Sequence, residues 1–543
     1  MNGTPLARTL DRIDGRSYPA YRDIRGVWDL PGGELVVDHV QGDPYASPSR
    51  IRVRVPSSLG AHTEAQDRIA TEDWLLRRFA AALPSTSRGS GRSGQLEVYR
   101  PGPEVCLRSA VTLHPDHIEV RLRAGLPAKG RRVLARQAVA MFHTDLATAM
   151  TALHGRDGLT RHLASVRRQR ALRDALDGAD LVAFVADGSV LPRTTGVSRH
   201  PLPDAVPFRS PPSLSVTLDT PEGPVTGMGV PRGITLIVGG GYHGKSTLLD
   251  ALSRGHLDHI PGDGREGVVS VPNAVAVQAD EGRAIRGVDI SAFLEGLPTG
   301  ADTRHFSTDD ASGSTSQSAA IAEALEAGCT CLLMDEDRSA TNLLVRDARM
   351  AQLVPDEHEP ITPLVRRIRS LHDDVGVSSI LVCGGVSDFL DVADTVIGMR
   401  DYIASDLTQA ATALVRSPER PALPMPRPAP RVLTGGLDAD RVRARDARTV
   451  QLGHTDVDLA AVRSVLDAAH ARTLALCARF IGSELLDGRR TLAHQLDALA
   501  AILADEGLDI LTDRVDGMLV GVRPVDVGAV LSRVRSLTVA RDV

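Results

Sequence analysis

At 543 residues the chain is too long for a single hydrophobic core, and length alone suggests about three domains. A net charge of −6 and a pI near 6.3 exclude a global pull toward nucleic acid or anionic membrane, so any such binding needs a local patch. With aromatics at only 3%, extended base-stacking platforms are excluded as well.

The N-terminal stretch MNGTPLARTLDRIDG lacks an apolar leader segment, and no run approaches the roughly 18 apolar residues of a membrane span. The expectation is a cytoplasmic protein without membrane association. Residues 1–160 mix strand-like alternation (ELVVDHV, RIRVRV, HIEVRLR) with helical stretches such as EDWLLRRFAAAL, which predicts an α+β domain. Two loops interrupt it: the polar, turn-rich QGDPYASPSR at Gln41–Arg50, and the Gly/Ser/Arg-rich SRGSGRSGQ at Ser87–Gln95. The second reads either as a phosphate cradle or as a mobile surface loop, since it lacks a strand before it and a helix after it. The helical run RHLASVRRQRALRDAL clusters Arg161, Arg167, Arg168, Arg170 and Arg173. Together with Arg88 and Arg92, these offer phosphate neutralisation, the alternative being a solvated face paired with acids.

From Gly178 onward apolar runs alternate with helical stretches, the pattern of a parallel sheet covered on both faces. Phe208, in AVPFRSPPSL, reads first as a core phenylalanine; a base-stacking aromatic is the alternative, implied only by the family resemblance given below. Then ITLIV at Ile234–Val238 runs into GGGYHGKSTLL. Gly239 and Gly244 allow backbone N–H groups to close around phosphates, Lys245 supplies charge, and the Ser246 hydroxyl suits Mg²⁺. Gly240, Gly241, Tyr242, His243 and Thr247 complete the predicted nucleotide-binding stretch. A buried strand before the loop and a helix after it, STLLDALSRG, set this apart from a chance glycine turn, because the helix N-terminus adds free N–H groups and its dipole. Of 62 basic residues only Lys129 and Lys245 are lysines, so a chain that otherwise uses arginine keeps a compact point charge at the loop.

Further along, CTCLLMDED delivers Asp335 and Glu336 side by side at a strand end. Asp335 is predicted to hold Mg²⁺ through water and Glu336 to polarise the attacking water. Cys329 and Cys331 resemble a metal pair but have no matching partners, and buried strand cysteines account for them better; the five cysteines, odd in number and scattered, speak against a disulfide framework and for a reducing compartment. Pro418–Leu433 is proline-dense and reads as a semi-rigid linker. Beyond it VDLAAVRSVLDAAHARTLALCARFI has helical spacing.

The company of these motifs decides the class. ASGST at Ala311–Thr315 opens a predicted helix and resembles, in degenerate form, the LSGGQ signature of ABC ATPases, 24 residues before Asp335. DRSATN resembles the same family's D-loop with Ser339, Ala340 and Thr341, and Gln278, 33 residues past Lys245, is placed like its Q-loop glutamine, a nucleotide and metal contact. The phrases DHVQGDPYASPSRIRV, GSGRSGQ, FVADGSVLPR, HIPGDGRE, VDISAFLEGLP, FSTDDASGSTSQ, DEDRSATN, EPITPLV and DVADTVIGM resemble one family in particular, the uncharacterised predicted ATPases of the ABC class.

That resemblance implies an α/β P-loop NTPase core of ABC ATPase type, flanked by a family-specific α+β N-terminal domain and a small α+β C-terminal domain. The expected boundaries are 1–160, 161–416, a linker at 417–435, and 436–543. It also implies ATP and Mg²⁺ as ligands, and a homodimer in which Ser312, Gly313 and Ser314 of one chain cap the nucleotide held by Lys245 of the other, because one P-loop and one signature cannot make that composite site within one molecule. The switch histidine of the family is missing; Ser387 and Asp388 stand in its place in SSILVCGGVSDFLDVAD, which implies slower or differently triggered hydrolysis. Expected loads are nucleic acid, through the arginine clusters, or a protein partner of a regulatory or assembly ATPase; a membrane transporter is the least favoured.

Overall fold

In the computed structural model, the described residues are 4–540 apart from 61–63, 86, 197, 416–421, 438 and 439. They divide into two compact units: one runs to Val166 and includes Glu506–Gly521, while the other comprises Arg167–Asp505 and the segment after Val522. The C-terminal residues therefore serve both units. The expected boundary at 416 and the first residues of the proline-rich linker lie outside the described residues.

The first unit is built on an antiparallel sheet ordered Gly26–Leu30, Gly33–His39, Ser49–Pro56, His117–Ala124, Leu96–Glu97, with Val111–Leu113 also paired to His117–Ala124. RIRVRV shows why: along Ser49–Pro56 the residues Ile51, Val53 and Val55 are buried, while Arg50, Arg52 and Arg54 take the other face. Arg52 and Arg54 both donate to Glu119 on the paired strand, at 2.9 and 3.2 Å. The helix over EDWLLRRFAAAL spans Ala65–Ala82 and buries Trp74, Leu75, Leu76 and Phe79. In the same unit, Ser109 N–H donates to the Leu519 carbonyl and Arg121 forms two bonds to Asp509, so Glu506–Gly521 is stitched to the sheet.

The Gly/Ser/Arg loop is not loose. Its backbone N–H groups at Ser90, Arg92 and Gly94 donate to the carbonyls of Ala128, Pro44 and Gly125. A Cβ on Gly89, at φ +131°, would lie 2.1 Å from the Ala128 oxygen. Close backbone approach is what the glycines are for.

The second unit carries a six-stranded sheet ordered Ala274–Ala276, Cys331–Asp335, Ser378–Cys383, Ile234–Val238, Thr395–Arg400, Ile403–Asp406. All neighbouring strands for which a register is resolved are parallel except the last pair, which is a hairpin. The apolar runs CLLMD and SSILVC are buried along their whole length, as strands covered on both faces must be. A companion antiparallel sheet comprises Ser215–Leu218, Val225–Pro231, Leu181–Ala186 and Val268–Ser270. LVAFVA was expected in the parallel sheet. It is buried on both faces, Val182 and Val185 in one core and Leu181 and Phe184 in another, so its composition matches that of a parallel strand although its pairing is antiparallel.

Two further expectations are corrected. The helix expected from Val457 begins only at Ala468, because Asp467 caps it by accepting the His470 N–H at 2.9 Å; Thr455–Asp458 is a strand. The described part of the proline-rich stretch is no free spacer: Met425 is buried in the core and Arg431, also buried, pairs with Glu326 at 2.7 Å.

Candidate nucleotide site

Parallel strands bring their carboxyl ends to one edge, and there the loop after Val238 and the end of Asp335 are separated by the single strand Ser378–Cys383. Gly239 has φ +140°, and a Cβ on it would stand 2.2 Å from the Met399 oxygen, so only glycine lets the loop leave the sheet. Gly244, left-handed at φ +99°, is the N-cap of the helix Lys245–Arg254 and offers no side chain to cap it. The first N–H groups of that helix are thus left for an anion. Lys245 Nζ folds back to the carbonyls of Gly239 and Gly240, each at 2.8 Å.

Ser246, Gln278 and Asp335 line one cavity with Arg338 and Arg463. Gln278 Oε1 is buried without a hydrogen-bond partner. An orphaned carbonyl oxygen, a hydroxyl and a carboxylate around one cavity are the all-oxygen donor set that a hard divalent cation takes, so these residues fit Mg²⁺. Next to it, Glu336 Oε2 accepts the backbone N–H groups of Gly384 and Gly385 at 2.6 and 3.0 Å. Those two glycines went unread in the sequence. They occupy the loop that lacks the switch histidine, and they fix the Glu336 carboxylate with main chain.

The signature segment is bound to both neighbours. Ser312 is the N-cap of the helix Gly313–Glu326, accepting the Thr315 N–H at 3.4 Å, while Ser314 is largely buried. Ser312 therefore caps its own helix. Ser316 Oγ accepts the Asp280 N–H just past Gln278, and Gln317 bonds Ser339 Oγ and the Ala340 N–H. The segment after Gln278, the helix Gly313–Glu326 and the DRSATN turn are thus joined by hydrogen bonds. Residues from the C-terminal part of this unit add to them: Arg463 reaches Asp250 on the P-loop helix at 2.9 Å, and Arg533 pairs with Asp280 at 3.0 Å. Nothing in the sequence near Arg463 or Arg533 signals this, since the contacts span more than 200 residues.

Other candidates fall away from the site. Phe208 is 3% exposed, in the core with Leu248, Leu249 and Met228, so it has no face for a base. Phe208→Ala is expected to leave a cavity costing about 3–5 kcal/mol, read as a lower denaturant midpoint. An unchanged midpoint would contradict this packing role. Cys329 and Cys331 are buried, the Cys329 thiol donates to the Cys331 carbonyl, and burial pushes the Cys329 thiol up to about 12, so neither offers a thiolate to a metal. Arg170 and Arg173 are spent on Asp258, each at 3.0 Å, and Arg88 on Asp145 at 2.6 Å.

A sequence model for the P-loop domain of ABC-class ATPases matches residues 155–430, half of the chain, and the one for the N-terminal region of an ATPase of the ABC class matches 4–155. The chain belongs to the ABC-class ATPases. Residues 441–540 of this ATPase match the MRB1590 C-terminal domain. An uncharacterised protein of Methanocaldococcus jannaschii, MJ1628, is 32% identical over 267 residues, 46% of this chain and 58% of that protein; the ABC-class ATPase described here thus spans little more than half of that relative. Among solved structures, cbiO1 of Clostridium perfringens, described as part of the ABC transporter complex cbiONQ, aligns at 14% identity and a TM-score of 0.27, covering 43% of this chain and 91% of its own. That likeness is too slight to carry inference. Among the described residues, no helix of this ABC-class ATPase is long and apolar enough to cross a membrane.

Proposed function

We propose that the protein binds Mg-ATP at the loop Gly239–Thr247 and hydrolyses it to ADP and phosphate, at a site completed by the signature segment of a second copy. The observation that carries this reading is the Glu336 carboxylate, held on Oε2 by two backbone N–H groups beside Asp335 at the sheet edge that bears the P-loop. With Oε2 engaged, Oε1 is the oxygen to take the proton of a water attacking the γ-phosphorus, as the β–γ bridging bond breaks and ADP leaves.

Lys245, released from the carbonyls of Gly239 and Gly240, neutralises the β- and γ-oxygens, and the open N–H groups of the following helix hold the phosphates. Ser246, Asp335 and Gln278 would hold Mg²⁺, which when bound offsets the charge building on the phosphate oxygens. Nucleic acid as the load has less support, because Arg88, Arg170 and Arg173, three of the seven clustered arginines, are engaged by internal carboxylates.

The direct test is release of inorganic phosphate from ATP by the purified full chain with Mg²⁺. Turnover is expected, and chelation by EDTA should remove it. A well-folded chain that neither binds nor cleaves Mg-ATP would overturn the proposal.

A further inference from the structure

Phosphates account for only one end of a nucleotide, and with Phe208 buried that candidate for stacking on the base is gone. Two exposed tyrosines stand at the P-loop instead. Tyr242, at the loop tip, is 99% exposed. Tyr402 is 54% exposed and belongs to the two-residue turn Asp401–Tyr402 that closes the hairpin between Thr395–Arg400 and Ile403–Asp406, with Arg400 paired to Ile403. Thr395–Arg400 is the parallel neighbour of the P-loop strand on the side away from Asp335, so its turn emerges at the same sheet edge.

Three features fix Tyr402 there. A Cβ built on Gly244 would lie 3.3 Å from Tyr402 Cδ1, so the ring lies against the last glycine of the loop, where the chain turns into the phosphate-binding helix. The turn is pinned to the loop itself, since the Asp401 N–H donates to His243 Nδ1 at 2.9 Å. Its backbone is costly: Asp401 and Tyr402 have φ of +51° and +66°, a conformation in which hairpins ordinarily place Asn-Gly. A bulky aromatic held in that conformation, half in solvent and against the anion site, is a feature that turn formation alone disfavours.

We infer that Tyr402 is the stacking platform for the nucleobase, with His243 as the positioning residue that holds its hairpin against the P-loop. This rests on the nucleotide-binding reading above and extends it to the base. The phosphates enter at the helix N-terminus, Asp335 and Gln278 close the γ side, and the sugar and base leave on the opposite side, toward the turn. A stacking face accepts any purine, so both adenine and guanine nucleotides should gain from it.

The test compares Mg-ADP with Mg-pyrophosphate by calorimetry on the full chain, since the two probes share the phosphates and differ in the base. Tyr402→Ala is expected to weaken ADP about tenfold while leaving pyrophosphate affinity unchanged, and Tyr402→Trp to restore ADP binding. Tyr402→Gly is the control for the turn: glycine adopts the required φ without strain, so a loss of ADP affinity in that variant reports the missing ring. His243→Ala should weaken ADP while Tyr402→Gly/His243→Ala weakens it no further. ADP affinity unchanged in Tyr402→Gly, or an equal fall for ADP and pyrophosphate, would overturn the base assignment alone. A wild-type chain that binds neither probe would overturn the nucleotide reading and this one with it.

Discussion

Glu336→Gln is expected to bind Mg-ATP as the parent chain does and to release phosphate at least about 100-fold more slowly, because it removes the proton acceptor and leaves the phosphate cradle intact. Glutamine is nearly isosteric, and its side-chain oxygen still accepts the N–H groups of Gly384 and Gly385 that hold the carboxylate now. Lys245→Ala is the contrasting variant. Lys245 contacts the loop carbonyls of Gly239 and Gly240, and in the proposed function its charge meets the phosphates, so binding itself should fall. Rapid-filtration binding and phosphate release, measured on both variants, separate the two roles. Equal turnover by Glu336→Gln and the parent would reject Glu336 as the base.

The second large effect is complementation between two dead chains. Lys245→Ala lacks an intact P-loop, and Ser312→Arg lacks an intact signature; each alone is expected to be inactive. In a one-to-one mixture half of the dimers are mixed, each holding one complete site of two, so about a quarter of parental activity should return if the interface is isologous. Ser312 also caps its helix, and losing that cap costs about 1 kcal/mol. Gly313→Arg serves as the companion variant, because Gly313 is not the cap and a Cβ there meets only Ala340 and Ala279 at 3.7 and 3.8 Å. A mixture that stays inactive while both variants fold and dimerise would show that the signature does not act across chains. A Glu336→Gln chain that stays monomeric with ATP would show the same.

What the sequence by itself determined was local. The strand–loop–helix at Ile234–Arg254 was legible because its chemistry sits in consecutive residues: an apolar run, glycines at positions that need φ above zero, one lysine and a hydroxyl. The acidic pair after CLLMD and the helix after ASGST were legible for the same reason. The alternation in RIRVRV marked a strand, and that strand buries every second residue.

Tertiary structure alone decided everything that depends on who meets whom. LVAFVA is apolar on both faces, so its residues carry no mark of whether the neighbouring strands run with it or against it. Phe208 sits at a suggestive distance from the P-loop in sequence, yet packing spent it on the core; Tyr402, about 160 residues beyond the loop, reaches it through a parallel strand pairing that no local spacing encodes. Glu336 is held by main-chain N–H groups, which every residue but proline possesses, so no residue type at 384 or 385 announced the role. The arginines were the least legible. A guanidinium reads the same in a list whether it faces phosphate or closes on an internal carboxylate, and only the fold brought Asp258 to Arg170 and Arg173, Asp250 to Arg463, and Asp280 to Arg533. Periodicity and motif chemistry are properties of neighbours along the chain, whereas pairing of charges and strands is fixed by the burial of surfaces that lie far apart in it.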